Sequence, residues 1–402
     1  MKVLIELFDK EQIYNYLAAL VFRPEKVYFV GDSEIMGGCC RAKTEKLADI
    51  TGINAKFLYK FANPDNFPLL RSKISEIIED EKKLGNECVI DVTGGRDLAL
   101  VAAGYLMSLG TEVIRYDPKN KAFRILSSGE TCPADIKLSC EELITVAGGT
   151  VYSNTHKLSF SDREWGIVEK IIRLYFEKRD VWTKFVKYLQ RISKKDGEKV
   201  GDSLRIEAPA TLKADGKTFS ADIEILNGLE KTGAITDFKF FRSNNRLSFG
   251  YASSGIANLL VNEGVWLELI IYFTVRSTDI FTDSDTGVKF IWDIPDGGNS
   301  LNSLLSGNTP RNEIDVVAVR GIKPIFISCK TRQPINEDLN ELYAIREHFG
   351  GEHARAALAT TKYVDRESPV YERARLMGIK IIDGRDIECS AVSNKLIKLS
   401  EE

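Results

Sequence analysis

Across its first 150 residues the sequence alternates short apolar runs with segments of helical periodicity. VLIELF (3–8), VYFVG (27–31), AKFLYKF (55–61), CVIDV (88–92) and EVIRYD (112–117) read as strands. Stretches at 11–22, 43–51, 67–84 and 96–109 read as the helices between them. A strand that rejoins its sheet after a helical crossover does so in parallel, so this order predicts a parallel α/β sheet covered by helices. Ligands of such sheets bind where the strands end, here in the turns after Phe8, Val30 and Val92.

At 402 residues the chain is long enough for two or three domains of about 150 residues each. Its 55 basic and 58 acidic residues leave a net charge of −3, so any contact with nucleic acid depends on a local basic surface. The opening MKVLIELFDKEQ turns polar too soon for a secretion signal, and no run of about 18 apolar residues occurs, so neither export nor a membrane partner is expected. Seven cysteines without a CxxC pair fit reduced thiols in the cytoplasm. His156, His348 and His353 are too scattered for an imidazole or thiolate zinc site, so a bound metal would be held by carboxylates.

After Gly148 and Gly149 the pattern changes. Ser161 with Glu164 forms a capping box for a helix that ends near Lys178, followed by helices at 181–193 and 220–230 and a hairpin in GAITDFKFFRSNNRLSFGYA. Helices followed by a ribbon are similar to a winged helix, but no basic stripe marks a recognition helix, and a connector between two domains is favoured over a DNA reader. The cluster Lys187, Arg191, Lys194, Lys195, Lys199 reads as a solvated face. The remainder reads as helix 264–276, strands 287–293, 312–320 and 323–329, helix 336–349, strand 355–360, helix 367–377 and strand 379–383, an αβββαβ core with one further unit. The expected division is therefore 1–150, 151–260 and 261–402.

Two constellations carry chemistry. On adjacent strands, alternation puts Glu313 and Asp315 on one face of the first, and Phe326, Ser328 and Lys330 on one face of the second, so Asp315 and Lys330 converge. An acid that binds a hard divalent cation beside a lysine that orients water or neutralises phosphate charge suits metal-assisted phosphodiester hydrolysis; the alternative is an ordinary interstrand salt bridge. Glu268 lies in the apolar helix GVWLELIIYF, where a carboxylate needs a metal or a backbone group as partner. In the N-terminal region, Thr93, Gly94, Gly95 and Arg96 follow strand 88–92 and open the helix LALVAAGYLMSL. Glycines there let amides approach a phosphate at the helix start, or simply make a tight turn; the GxGxxG and P-loop spacings are absent, which disfavours a nicotinamide enzyme or an NTPase.

The segment 264–385 resembles the PD-(D/E)xK nuclease core: acid on the first helix (Glu268), acid on the second strand (Asp315), and lysine on the third (Ser328, Cys329, Lys330). Where the family has an acid two residues before the lysine this chain has Ser328, so Glu313 or Glu341 is expected to compensate, or catalysis is lost. Cys329 should face the opposite, apolar side. VIDVTGGRDLAL together with the opening strand is similar to the CRISPR-associated Rossmann fold, a sensor of cyclic oligoadenylates, and the whole order resembles the CRISPR ancillary nucleases of type III systems. The resemblance implies a Rossmann-like sensor fused through a connector to the nuclease core, in a homodimer that binds cyclic tetra-adenylate across its two-fold axis. It implies cleavage of DNA or RNA with Mg²⁺ or Mn²⁺, and places Asp9, Gln12, Thr93, Gly94, Gly95 and Arg96 at the activator site. The family often has a lysine soon after the glycines; here Asp97 follows Arg96, so Arg96 takes the cationic role. Two other functions remain open: a ligand-responsive DNA-binding regulator with a degraded nuclease core, and a ring nuclease that degrades its own activator.

Overall fold

The computed structural model describes residues 3–9, 11–37, 39–153, 160–193, 204–262, 264–292 and 310–402. Its strands are β1 (Val3–Leu7), β2 (Lys26–Gly31), β3 (Lys56–Phe61), β4 (Cys88–Asp91), β5 (Glu112–Asp117), β6 (Ala122–Ile125), β7 (Thr131–Pro133), β8 (Thr150–Ser153), β9 (Arg205–Pro209), β10 (Thr211–Ala214), β11 (Lys217–Ser220), β12 (Ile235–Phe241), β13 (Arg246–Tyr251), β14 (Asp283–Ile291), β15 (Arg311–Arg320), β16 (Lys323–Lys330), β17 (Arg355–Thr360) and β18 (Ile379–Ile382).

The chain is an α/β protein whose N-terminal sheet is Rossmann-like. Its order is β3-β2-β1-β4-β5-β6-β7, parallel from β3 to β5 and closed by the antiparallel β6 and β7. β1 is buried along its whole length, as a strand covered on both faces must be, and VLIEL is accordingly apolar but for Glu6. On one face lie the helices Phe67–Lys83, capped by the Asn66 side chain, and Asp97–Ser108.

The C-terminal region follows the αβββαβ order: helix Val265–Arg276, β14, β15, β16, helix Asn336–Gly350 and β17, in a mixed sheet β18-β17-β16-β15-β14-β8. β8 is its edge strand, and helix Cys140–Ala147, held by the Ser139–Glu142 capping box, packs beside it. Between the two sheets runs a single apolar core that joins Leu4, Phe29 and Phe123 to Val317, Phe326 and Phe349. Helix Val265–Arg276 and the C-terminal helix Val392–Glu401 cover the far side of the second sheet. The middle region has its own core around Trp182, Tyr188, Phe249 and Trp266, over the antiparallel sheet β12-β13-β9.

Departures from the sequence reading have local causes. The expected helix 11–22 is a 3-10 turn Gln12–Asn15 followed by Leu17–Phe22, because Asn15 folds back to bond both Asp9 backbone groups at 2.8 and 2.9 Å. Helix 220–230 starts at Ile223, where the Asp222 carboxylate accepts the Ile225 amide. The strand expected at 287–293 begins at Asp283, since β15 pairs with its polar start. The helix from Asp162 breaks at Lys178, where the sequence reading ends it, and resumes directly to Ser193. Lys194, Lys195, Lys199 and His156 lie outside the described residues. Among the described residues no single helix is long and apolar enough to cross a membrane.

The shared core makes a prediction. Phe349 meets Phe290 edge to face at 4.7 Å, so Phe349→Ala should cost about 3–5 kcal/mol. In scanning calorimetry the transition that carries both sheets should move down as one; an N-terminal transition left at its wild-type temperature would contradict a common core.

Candidate functional site

β1 and β4 run side by side, and their last pair, Glu6 and Asp91, buries two carboxylates at 2% and 1% exposure. Burial pushes Asp91 up to about 7 against the pull of its Thr93 hydrogen bonds, and burial followed by the Asp91 charge raises Glu6 well above the ordinary carboxyl range. Just beyond this pair the two chains turn off the sheet. Asp9 ties the turns together: one carboxylate oxygen accepts the Glu11 amide and the other the Gly95 amide, each at 2.8 Å. The Thr93 hydroxyl donates to Asp91 at 2.5 Å and accepts the Tyr116 amide at 2.8 Å, which locks the turn to β5.

Only glycine fits this crossing. A Cβ on Gly94 would stand 2.8 Å from the Asp9 Cβ, and one on Gly95, with φ of 97°, 2.8 Å from the Leu7 Cβ. The result is an open cavity of about 550 Å³ lined by Asp9, Thr93, Gly94 and Gly95, four of the residues the resemblance assigns to the activator site, and also by Tyr14, Arg115 and His353. Gln12 instead lines an adjoining cavity with Lys43 and His348, while its amide donates to the Asp9 carbonyl at 3.4 Å. Arg96 lines neither; it stands exposed at the start of helix Asp97–Ser108, 3.8 Å from Asp65. Arg115 was legible in EVIRYD as the cation of the strand beside the Thr-Gly-Gly turn, whereas Tyr14 and His353 carry no local signal.

In the second sheet, Ile325 and Ile327 face helix Val265–Arg276 and Phe326 faces the shared core. Alternation therefore puts Ser328 and Lys330 on the Phe326 side and Cys329 among the apolar residues opposite, whereas alternation breaks at Asp315, since Ile314 and Val317 on either side of it both belong to the shared core. One Asp315 oxygen accepts the Cys329 amide at 2.7 Å and the Ser328 hydroxyl at 3.3 Å. Ser328 thus donates to the aspartate where a second acid would repel it. Lys330, half-buried, pairs along the ladder with Thr360 and enters no ion pair among the described residues.

Glu313 is half-buried on the strand of Asp315, with Lys289 at 4.0 Å. Glu341 is exposed and accepts the Asn312 amide at 3.0 Å. Glu268 is buried at 7% in the first turn of its helix. Among the described residues no three His, Cys, Asp or Glu side chains form a metal-binding group. The oxygen donors of Asp315, Ser328 and Glu313 are of the hard type that suits Mg²⁺ or Mn²⁺ completed by water.

Residues 257–399 match the family model of the Card1-like endonuclease domain. The chain resembles a CRISPR ancillary nuclease. Among solved structures, the protein VC1899 from Vibrio cholerae superposes with a TM-score of 0.74 at 17% identity, over 100% of this chain and 98% of that one. Can2 from Sulfobacillus thermosulfidooxidans, in complex with cyclic tetra-adenylate, gives 0.65 at 15% identity over 100% and 99%. A type III CRISPR defence DNA nuclease activated by cyclic oligoadenylate gives 0.52 at 13% identity, over 90% of this chain and 46% of that one. No curated protein matches the sequence.

The Glu6–Asp91 pair predicts a pH effect. A carboxyl whose folded pKa lies above its unfolded value contributes stability that is present below the unfolded value and lost as pH rises through the folded one, here about 7 for Asp91. Glu6→Gln removes the like charge, so at pH 8 it should melt above wild type by about 3 °C. The gap should shrink at pH 5.5; an equal shift at both pH values would contradict the pairing.

Proposed function

We propose that this chain is a divalent-metal-dependent endonuclease switched on by a cyclic oligoadenylate, with cyclic tetra-adenylate as the ring, in type III CRISPR antiviral defence. The observation that carries the reading is the braced Asp315, fixed by the Cys329 amide and the Ser328 hydroxyl beside Lys330, inside the region that matches an endonuclease domain. Asp315 would hold the ion, with Glu268 and Glu313 as the remaining candidate carboxylates. The ion, when bound, supplies Lewis-acid activation of water and of the phosphate of a DNA or RNA strand. Lys330 orients the attacking water and offsets the charge that gathers on the phosphate oxygens.

The ring is read at the other end of the shared core. Gly94 and Gly95 let the backbone approach phosphates at the start of a helix, and Arg115 adds a cation to the wall. Asp9 acts by joining the two turns, since both of its oxygens already accept amides. A second copy of the chain covers the open side. Helix Asp97–Ser108 shows solvent an apolar face, with Val101 57% and Tyr105 43% exposed, while its Leu100, Gly104 and Met107 line the cavity. Two such turns facing across a two-fold axis match the symmetry of a ring with repeated phosphates. For the ring to act as a switch it must bind one dimer arrangement better than the other.

The test uses labelled single-stranded DNA, RNA and supercoiled plasmid, with Mn²⁺ or Mg²⁺, with and without cyclic tetra-adenylate. Cleavage should need both ion and ring, and Lys330→Ala and Asp315→Asn should each lower it about 100-fold or more while leaving ring binding intact. Undiminished cleavage by Lys330→Ala would overturn the site. No cleavage by wild-type protein that binds the ring would favour the DNA-binding regulator. Val101→Glu should convert the dimer to a monomer in light scattering and weaken ring binding; an unchanged dimer would exclude that face as the interface.

A further inference from the structure

One wall of the Thr-Gly-Gly cavity comes from the far end of the chain. His353 ends the short 3-10 turn Gly351–His353, between helix Asn336–Gly350 and β17. Its Nε2 shares a hydrogen bond with the Tyr14 hydroxyl at 2.9 Å, and the two rings meet edge to face at 5.7 Å. Both side chains line the cavity with Asp9, Thr93, Gly94 and Gly95. The contact is tightly built, since a Cβ on Gly351 would stand 1.9 Å from a carboxylate oxygen of Glu11, three residues before Tyr14 in the chain. The loop that carries Asp9 and Tyr14 is thus pressed directly against the turn that precedes β17.

We propose that His353 is a ligand-contacting residue of the ring site, contributed by the nuclease half of the same chain. This rests on the reading that the cavity takes a phosphodiester ring. Nε2 and the phenol each spend one function on their mutual hydrogen bond, so the bonded pair offers the phenol oxygen to the ligand, and a ligand that parts them gains Nε2 as a partner for a phosphate oxygen or a sugar hydroxyl. The turn also lies where contact has consequences. It is continuous with the helix that packs on β16 and β17, and it leads into β17, whose Thr360 pairs with Lys330. A ring that draws His353 toward itself therefore acts on the strand next to Lys330, with no third element required. The wall that senses the ligand and the strand that flanks the cleavage residues are parts of one segment, 351–360.

The experiment titrates full-length protein with fluorescently labelled cyclic tetra-adenylate, comparing wild type, His353→Ala, His353→Gln and Tyr14→Phe. Loss of a hydrogen bond to a charged group corresponds to about tenfold weaker binding, which is expected for His353→Ala. His353→Gln keeps a donor at similar reach and should recover part of that loss. Thermal melts of the free variants check folding, and if His353→Ala melts early, His353→Gln and Tyr14→Phe carry the comparison. Binding by the folded His353 variants within about twofold of wild type would overturn the proposal. If wild type binds no ring, the ligand reading itself falls and this inference with it; if wild type binds and the His353 variants bind equally, only this inference falls.

Discussion

The apolar core that fills the space between the two sheets governs the rest of the molecule. Phe29 and Phe123 of the first sheet share it with Phe290, Phe326 and Phe349 of the second region, so neither sheet completes its packing alone. Interiors at this density do not deform continuously, and a displacement at one sheet must be absorbed by repacking at the other. The carboxylate at the end of β1 and the lysine at the end of β16 belong to sheets on opposite sides of one core. The middle region, with its separate core around Trp182 and Trp266, stands outside this arrangement.

How much of this was legible depends on whether the cause is local. The βα alternation and the αβββαβ order are properties of short windows, and the five N-terminal strands and the core strands of the second sheet lie where periodicity puts them. Ser328 and Lys330 fall on one face by strand alternation alone, while Asp315 sits where that alternation breaks. What stayed hidden depends on long-range pairing. β8 is four residues long and straddles the expected boundary at 150, but its hydrogen-bond partner is β14, in the third region. Tyr14 and His353 have no individual signature, because their significance exists only once 339 positions of chain have folded back. Gln12 and Arg96 were assigned through resemblance, and their side chains are oriented by neighbours the motif does not include: the Asp9 carbonyl for one, Asp65 for the other.

At both sites a polar group takes an unusual setting and the fold compensates. In the N-terminal turn the buried Glu6–Asp91 pair sits directly under Thr93, whose hydroxyl bonds both Asp91 and the β5 backbone, so the charge state of the pair and the geometry of the turn are linked. In the second sheet, Ser328 gives Asp315 a hydrogen-bond donor where an acid would be a repelling neighbour. The two sites thus differ in kind: one is a rigid crossing of two glycine-shaped turns, the other a ladder end held by backbone amides.

The central claim is that ligand at the turn is felt at the cleavage strand through one continuous body. Hydrogen-exchange mass spectrometry on the full chain, with and without cyclic tetra-adenylate, tests it most directly. The account predicts that protection changes together in 8–16, 91–97, 350–360 and 323–330. Protection confined to 8–16 and 91–97, with 350–360 and 323–330 exchanging as in the free protein, would contradict it.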